Sequence, residues 1–283
     1  MLDSVIALVA DESYLPHAKS VMVNCRREGQ WTGDFCLIIP STIDPEYFTS
    51  RGIYVLQDDA PVHYRKFALF NDYFNQQYIT EWETPDFRWD TVLYLDCDVL
   101  VQNPLEPLTH EVGWGTILAD QEMFTLRHAF TNWAPKELLD SPKTRTLMNG
   151  LETQYDLDRH QFCTAIMLWH PRTMPPKGQT NLAAMRKRLA PINTHVANGT
   201  DQPIINLAYY GMFERVRSDL FCYYESAWEK TIAVHYCSGY AQWIEKGERQ
   251  NAYFNERLGR PCHDIYLDNL AAFEDTFPVI RHA

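Results

Sequence analysis

The richest chemistry in the chain sits in two carboxylates, Asp96 and Asp98, at i and i+2 directly after the apolar run Val92-Leu93-Tyr94-Leu95. In extended backbone alternate side chains point the same way, so both carboxylates can converge on one ion. Their hard oxygens suit Mg²⁺ or Mn²⁺, ions that commonly share their remaining positions with substrate phosphates. A bare pair can also be a turn-starting Asp98 beside a solvent-facing Asp96. The apolar run Val99-Leu100-Val101 behind the pair argues against that. A carboxylate between buried strands is costly unless paired or metal-bound.

Such a pair needs a frame. Ser4 to Ala10, Phe35 to Pro40 and Ile53 to Leu56 read as strands, with a helix-length segment from Pro16 to Cys25. Aromatic residues at Phe67, Phe70, Tyr73, Phe74 and Tyr78 predict one helix over Tyr64 to Tyr78. Strands alternating with helices argue for an α/β domain with a mostly parallel sheet. In such sheets ligands bind beyond the carboxyl ends of strands, where Asp96 and Asp98 stand. Further on, Phe162 to Trp169 reads as one strand and Asp201 to Tyr210 as a short helix with Pro203 in its first turn. Ile232 to Tyr236 reads as a last strand, and the prolines near Pro142 and from Pro171 to Pro176 as loops. No internal repeat or low-complexity segment interrupts this pattern.

Composition narrows the function. The 283 residues are 46% hydrophobic and 22% charged, the balance of an ordinary soluble globular protein. A net charge of −12 makes nucleic acid and anionic membrane surfaces poor partners. The first apolar run, Val5 to Ala10, has a strand's length, so neither signal peptide nor transmembrane segment is expected. Seven scattered cysteines without a CxxC read as buried reduced thiols, which fits the cytoplasm.

Val92 to Val101, followed by Pro104-Leu105-Glu106-Pro107-Leu108, resembles the DxD block of the family 8-type retaining glycosyltransferases. That family has the GT-A fold and includes glycogenin and bacterial α-galactosyltransferases of lipopolysaccharide synthesis. Ile6 to Tyr14 resembles its first strand and nucleotide-base loop, and Arg65-Lys66-Phe67-Ala68-Leu69 its donor-contacting helix start. Asp201-Gln202-Pro203-Ile204-Ile205-Asn206 is similar to the block beside the anomeric carbon, and His235-Tyr236-Cys237 with Trp243 to the block whose histidine completes the metal site. The resemblance implies one GT-A domain over 1–283, with 1–108 holding the nucleotide sugar and 109–283 the acceptor. It implies Mn²⁺ or Mg²⁺ on Asp96, Asp98 and His235, and a donor contacted by Asp11, Ser13, Tyr14, Lys66, Asp96, Cys97 and Thr164. Asp201 and Gln202 would be catalytic. The reaction implied is transfer of a hexose, with retention, from a nucleoside-diphosphate sugar such as a UDP-sugar to a hydroxyl of a carbohydrate or glycoconjugate acceptor. Met123 to Asp158 and Asn255 to Ala283 are the expected acceptor-recognition stretches.

Two blocks depart from the pattern. Phe162-Cys163-Thr164-Ala165 stands where Phe-Asn-x-Gly is usual, leaving Thr164 or Gln161 to replace the lost amide. Ala241 stands in place of a phosphate-binding lysine, with Lys246, Lys66 or Arg65 as substitutes. On the residues alone, Asp201 could instead cap its helix, and Asp11 the helix after Tyr14. Lys66 could be a solvated helix residue and His235 a structural histidine. Three rival functions remain: a silent nucleotide-sugar or glycan-binding module, an inverting transferase using Asp156, Asp158 or Asp201 as base, and a sugar nucleotidyltransferase. The absence of glycine from Val9 to Leu15 counts against the last.

Overall fold

The computed structural model describes residues 3–71, 74, 88–111, 113, 115–131, 136–174, 178–193, 201–216, 221–222, 231–235, 256 and 259–280. The strands among the described residues are β1 (Ser4–Val9), β2 (Asp34–Ile39), β3 (Tyr54–Gln57), β4 (Thr91–Leu95), β5 (Val99–Val101), β6 (Ile117–Ala119), β7 (Gln121–Thr125), β8 (His160–Phe162), β9 (Ile166–Trp169), β10 (Phe213–Arg215), β11 (Phe221–Cys222) and β12 (Ala233–His235). Seven of them form the central sheet, ordered β10-β6-β9-β4-β1-β2-β3. Neighbours run parallel except where β9 lies antiparallel to β4 and β6. The expected mostly parallel α/β sheet is therefore present, and its strands come from both halves of the chain.

Alternation along β1 explains why both faces are covered. Ile6 and Leu8 join one core with the first helix, Leu15–Arg27; Val5, Ala7 and Val9 join the other with Leu182 and Leu189 of the helix Gly178–Asn193. Near-continuous burial of both faces is what a parallel strand demands. The C-terminal helix, Cys262–Ala271, packs on the first helix.

The edge that matters is the carboxyl end of β1 and β4. Because β9 runs opposite to β4, with Ile166 beside Leu95, the chain enters β9 at that same edge. A second, small sheet, β11-β12-β5, places His235 opposite Val99, next to Asp98. The buried Asn24 acts as a surrogate strand for β5: its amide donates to the Val101 carbonyl at 3.0 Å and accepts from the Val101 N–H at 2.6 Å.

Several elements differ from the sequence reading. Phe162 to Trp169 is not one strand: β8 ends at Phe162 and β9 begins at Ile166, with Cys163, Thr164 and Ala165 as the break. Alternation cannot see this interruption, because all four residues from Phe162 to Ala165 are buried. The segment from Tyr64 is a helical turn, Val62–Arg65, followed by a 3₁₀ turn, Lys66–Phe70, and extended backbone at Asn71, so no single helix leaves Tyr64. Tyr73 and Tyr78 lie outside the described residues. The prolines near Pro142 open a helix, Pro142–Glu152, whose N-cap Ser141 hydroxyl accepts from the Thr144 N–H; proline in a first turn costs no hydrogen bond. Pro171–Thr173 is a short 3₁₀ turn. Cys25, Cys36, Cys97, Cys163 and Cys262 are buried thiols outside any disulfide.

Candidate active site

Asp96 leaves the end of β4 with its N–H bonded to the Ala165 carbonyl at 2.7 Å, which ties it to the β8–β9 break. Its carboxylate accepts from the hydroxyl of Tyr94, two residues back on the same face of the strand. Asp98 follows one turn later, and its Oδ1 lies 3.3 Å from His235 Nε2. One donor atom from each of Asp96, Asp98 and His235 falls within 4.8 Å of the others. Ligands about 2.1 Å from one ion stand roughly 3–4 Å apart, so two carboxylates and an imidazole at this spacing fit a divalent cation. All three side chains keep partial exposure, from 16% to 26%, so an ion and its waters can reach them.

Burial and partners set the charges. For Asp98 burial pushes the carboxyl up, but the facing His235 imidazole outweighs it and leaves the carboxyl below its ordinary value. For Asp96 burial wins over the pull of Lys66, and its carboxyl is raised. Burial drives the Tyr94 hydroxyl well up, so it stays a donor.

Lys66 occupies the centre of the other flank. Only 7% exposed, its ammonium lies 3.1 Å from Asp96 Oδ1, 2.8 Å from Asp201 Oδ2 and 3.3 Å from the Thr164 carbonyl. Burial disfavours the charge, but Asp201 and Asp96 more than offset it and raise the lysine. The solvated-lysine alternative is thereby excluded. Asp201 sits at the N-cap position of the helix Gln202–Ala208 yet makes no side-chain cap bond; its carboxylate instead accepts from the Thr164 hydroxyl at 3.1 Å. Gln202 Oε1 accepts from the Thr164 N–H at 3.2 Å. Asn206, one turn on, clamps the end of β8 by bonding both the N–H and the carbonyl of Phe162, at 2.8 and 3.0 Å.

Around the base loop, one carboxylate oxygen of Asp11 accepts from the backbone N–H groups of Ser13 and Tyr14, at 3.0 and 3.1 Å, and from the Ser13 hydroxyl. Asp11 thus organises the loop ahead of the first helix. Burial, with the negative charge of Asp98 and its neighbours, raises the pKa of the Tyr14 hydroxyl. Cys97 points inward, its thiol on the Val9 carbonyl at 3.2 Å, so only its backbone faces the site edge. Arg65 is 4% exposed, with its guanidinium on the carbonyls of Asp58, Ala10 and Ala60. Three of its five N–H groups are bonded there, so at this depth the guanidinium is held by backbone carbonyls rather than presented at the surface. Gln161 does not replace the lost amide either: it is buried and turned toward the Thr125 carbonyl. Thr164 does stand in the site, with its hydroxyl committed to Asp201. Ala241, Lys246, Tyr236, Cys237 and Trp243 lie outside the described residues.

Sequence reasoning missed three participants. Tyr94 was legible, since i and i+2 share a strand face. Cys163 was noted only as a departure, and its sulfur lies 3.9 Å from His235 Nδ1. Glu122, on β7 and 8% exposed, carried no local signal.

No protein-family model matches this chain, and no curated protein matches its sequence. Solved structures do resemble it. The galactosyltransferase LgtC, in complex with donor and acceptor sugar analogues, superposes with a TM-score of 0.60 at 13% identity, covering 98% of each chain. The glycosyltransferase GlyE of Streptococcus pneumoniae TIGR4 gives 0.55 at 13%, over 97% of this chain and 65% of that one. The bifunctional glycosyltransferase WbbM gives 0.54 at 13%, over 95% and 50%. At such identities the likeness is one of fold: this chain has the GT-A fold of these glycosyltransferases, divergent in sequence.

Proposed function

We propose that the protein is a metal-dependent glycosyltransferase that moves a hexose, with retention, from a nucleoside-diphosphate sugar, a UDP-sugar, to a hydroxyl of a glycan or glycoconjugate. One observation carries the reading: Asp96 and Asp98, and His235 from far along the chain, supply donor atoms within 4.8 Å of one another at the strand edge where α/β folds bind ligands. A bound Mn²⁺ or Mg²⁺ would neutralise the departing diphosphate and fix its orientation.

The chain's own groups do the rest. The bond from the anomeric carbon to the diphosphate oxygen breaks, the acceptor oxygen takes its place, and the acceptor proton leaves with the diphosphate. Asp201, held by Lys66 and Thr164, keeps a fixed negative charge beside the sugar, where positive character develops. Gln202, pinned to the Thr164 N–H, presents its amide at the same place. Tyr14 and the loop that Asp11 organises receive the base, and the backbone of Cys97 borders the ribose and phosphates.

Titration calorimetry and turnover assays with UDP- and GDP-sugars, with and without Mn²⁺, test this on wild type and Asp98→Asn. The expected result is Mn²⁺-dependent donor binding with slow donor hydrolysis, at least about 100-fold slower in Asp98→Asn, because one charged metal ligand is lost. Binding and turnover indifferent to metal would sink the proposal, and product of inverted anomeric configuration would overturn retention.

A further inference from the structure

The pair β7 and β8 leaves the central sheet beside the site and has no part in the chemistry above. Both β4 and β6 lie antiparallel to β9, so the carboxyl end of β6 falls at the same edge as that of β4. The chain goes out along β7 and returns along β8, and the Cys163 N–H closes the root of the pair on the Asp120 carbonyl at 2.8 Å. Cys163 in turn has its sulfur 3.9 Å from His235 Nδ1. The root therefore borders the metal flank, and the rest of the pair stands beyond the strand edge where α/β folds bind ligands.

Four residues out from Asp120, about 13 Å along an extended strand, Phe124 is 40% exposed. A single exposed apolar side chain is ordinary, but this one is mounted on a support. Its ring lies flat on that of His128, with centroids 4.4 Å apart and planes at 10°. Imidazole covers one face, so the exposure belongs mostly to the other face and the edge. The support is fixed from several sides. The His128 N–H donates to the Thr125 hydroxyl at 3.2 Å. The N–H groups of Leu126 and Arg127 donate to the carbonyls of Arg159 and Leu157, at 3.0 and 2.7 Å. The Arg127 guanidinium pairs with both Asp158 and Glu152, and His160 Nδ1 lies 3.0 Å from the Glu122 carbonyl across the two strands. An aromatic face held in place beforehand loses little freedom when a ligand covers it. The other large apolar side chains exposed among the described residues lie elsewhere. Tyr54 opens β3 at the opposite end of the sheet, Leu267 is on the C-terminal helix, and Val279 and Ile280 follow that helix.

The chemistry of the platform selects its occupant. The negative face of an aromatic ring attracts weakly positive C–H groups, which a pyranose presents on one side while its hydroxyls point outward. The charge of Arg127 is already met by two carboxylates, which suits an uncharged ring better than a phosphate. We propose that Phe124, backed by His128, is an acceptor subsite that stacks on a sugar ring of a neutral oligosaccharide, a ring other than the one whose hydroxyl receives the hexose. This rests on the transferase reading and narrows its acceptor to a glycan of two or more rings.

The test uses the full chain in Mn²⁺ with the UDP- or GDP-sugar that the wild type hydrolyses. The acceptor panel is methyl β-galactoside, methyl α-glucoside and methyl β-glucoside, set against lactose, maltose, maltotriose, cellobiose and cellotriose. At least one oligosaccharide is expected to be glycosylated with a KM about fivefold or more below that of its matching methyl glycoside. Phe124→Ala raises that oligosaccharide's KM about tenfold with kcat within about twofold, and raises the KM of the methyl glycoside far less. Phe124→Trp, which keeps an aromatic face, holds the oligosaccharide KM within about threefold of wild type. Phe124→Leu, apolar but without that face, behaves as Phe124→Ala does and carries the test should Phe124→Ala not fold. An oligosaccharide KM unchanged in both Phe124→Ala and Phe124→Leu overturns the subsite, as does Phe124→Leu matching Phe124→Trp. A panel in which no oligosaccharide outdoes its methyl glycoside overturns it too. Each of these outcomes leaves the transferase reading standing, whereas a wild type that hydrolyses no UDP- or GDP-sugar in Mn²⁺ overturns both.

Discussion

The two flanks of the site are built alike and charged differently. Each is anchored by a buried asparagine that pairs with a strand end, Asn24 with Val101 on the metal flank and Asn206 with Phe162 on the transfer flank. On the transfer flank the charges close among themselves, since Lys66 reaches both Asp96 and Asp201. On the metal flank Asp98 meets only the His235 imidazole at ion-pair distance among the described residues. The first flank is therefore ordered by side chains alone, whereas the second keeps carboxylate charge that the proposed ion would complete. Buried charge is tolerated where its partner is internal, and leaves room for a ligand where it is not.

Removing the internal partner should break this contrast most. Lys66→Met leaves Asp201 buried without its cation and is expected to cost about 3 kcal/mol or more of folding stability in urea titrations, since one partner of a buried pair is lost. An unchanged midpoint would mean that Lys66 is not what closes the transfer flank.

The two asparagines give the next largest effects and separate the flanks. Asn206→Ala loses three bonds, to Phe162 twice and to the Gln202 carbonyl, against two for Asn24→Ala. Each unsatisfied buried group costs about 1–3 kcal/mol, so Asn206→Ala should be the less stable of the two. Mn²⁺ affinity should fall in Asn24→Ala, because β5 positions Asp98 and pairs with the strand of His235. Equal Mn²⁺ affinities in the two variants would show that strand anchoring does not reach the site.

The smallest effect concerns acid. His17 lines a small cavity of about 30 Å³ behind the metal flank with Cys97, Asp98 and Tyr266, and burial lowers its pKa to about 4. Unfolded, it binds a proton near pH 6.5, so between pH 6.5 and 4 the unfolded chain holds more protons and stability falls as pH falls. His17→Leu should flatten that part of the Tm-against-pH curve and leave the curve above pH 7 parallel to wild type. A slope unchanged between pH 6.5 and 4 would assign the acid sensitivity to other groups.

The α/β frame was legible in the sequence because a parallel strand buried on both faces leaves a continuous apolar run, as Val5 to Ala10 and Phe35 to Ile39 do. The acidic pair was legible for the same reason: two carboxylates break such a run at its end. Asp201 was placed correctly before its helix, but the sequence left capping and site roles open; in the structure its carboxylate makes no cap bond and pairs instead with Lys66, far along the chain. The helix read from Tyr64 failed at Asn71 and the strand read through Thr164 failed at the β8–β9 break. In both places contacts far along the chain outweigh local pattern.

What the sequence determined by itself is whatever side-chain periodicity encodes: the strands of the sheet, the apolar faces of its helices, and an acidic pair at the end of β4, although Cys97 and Asp98 turn into β5 rather than staying extended. Only the tertiary structure decided that Lys66 lies buried between Asp96 and Asp201, and that Arg65 is spent on backbone carbonyls. Those pairings follow from strand order and register across dozens of residues, and from the cost of leaving a charge or a carbonyl unpaired in the interior, neither of which a local stretch of sequence records.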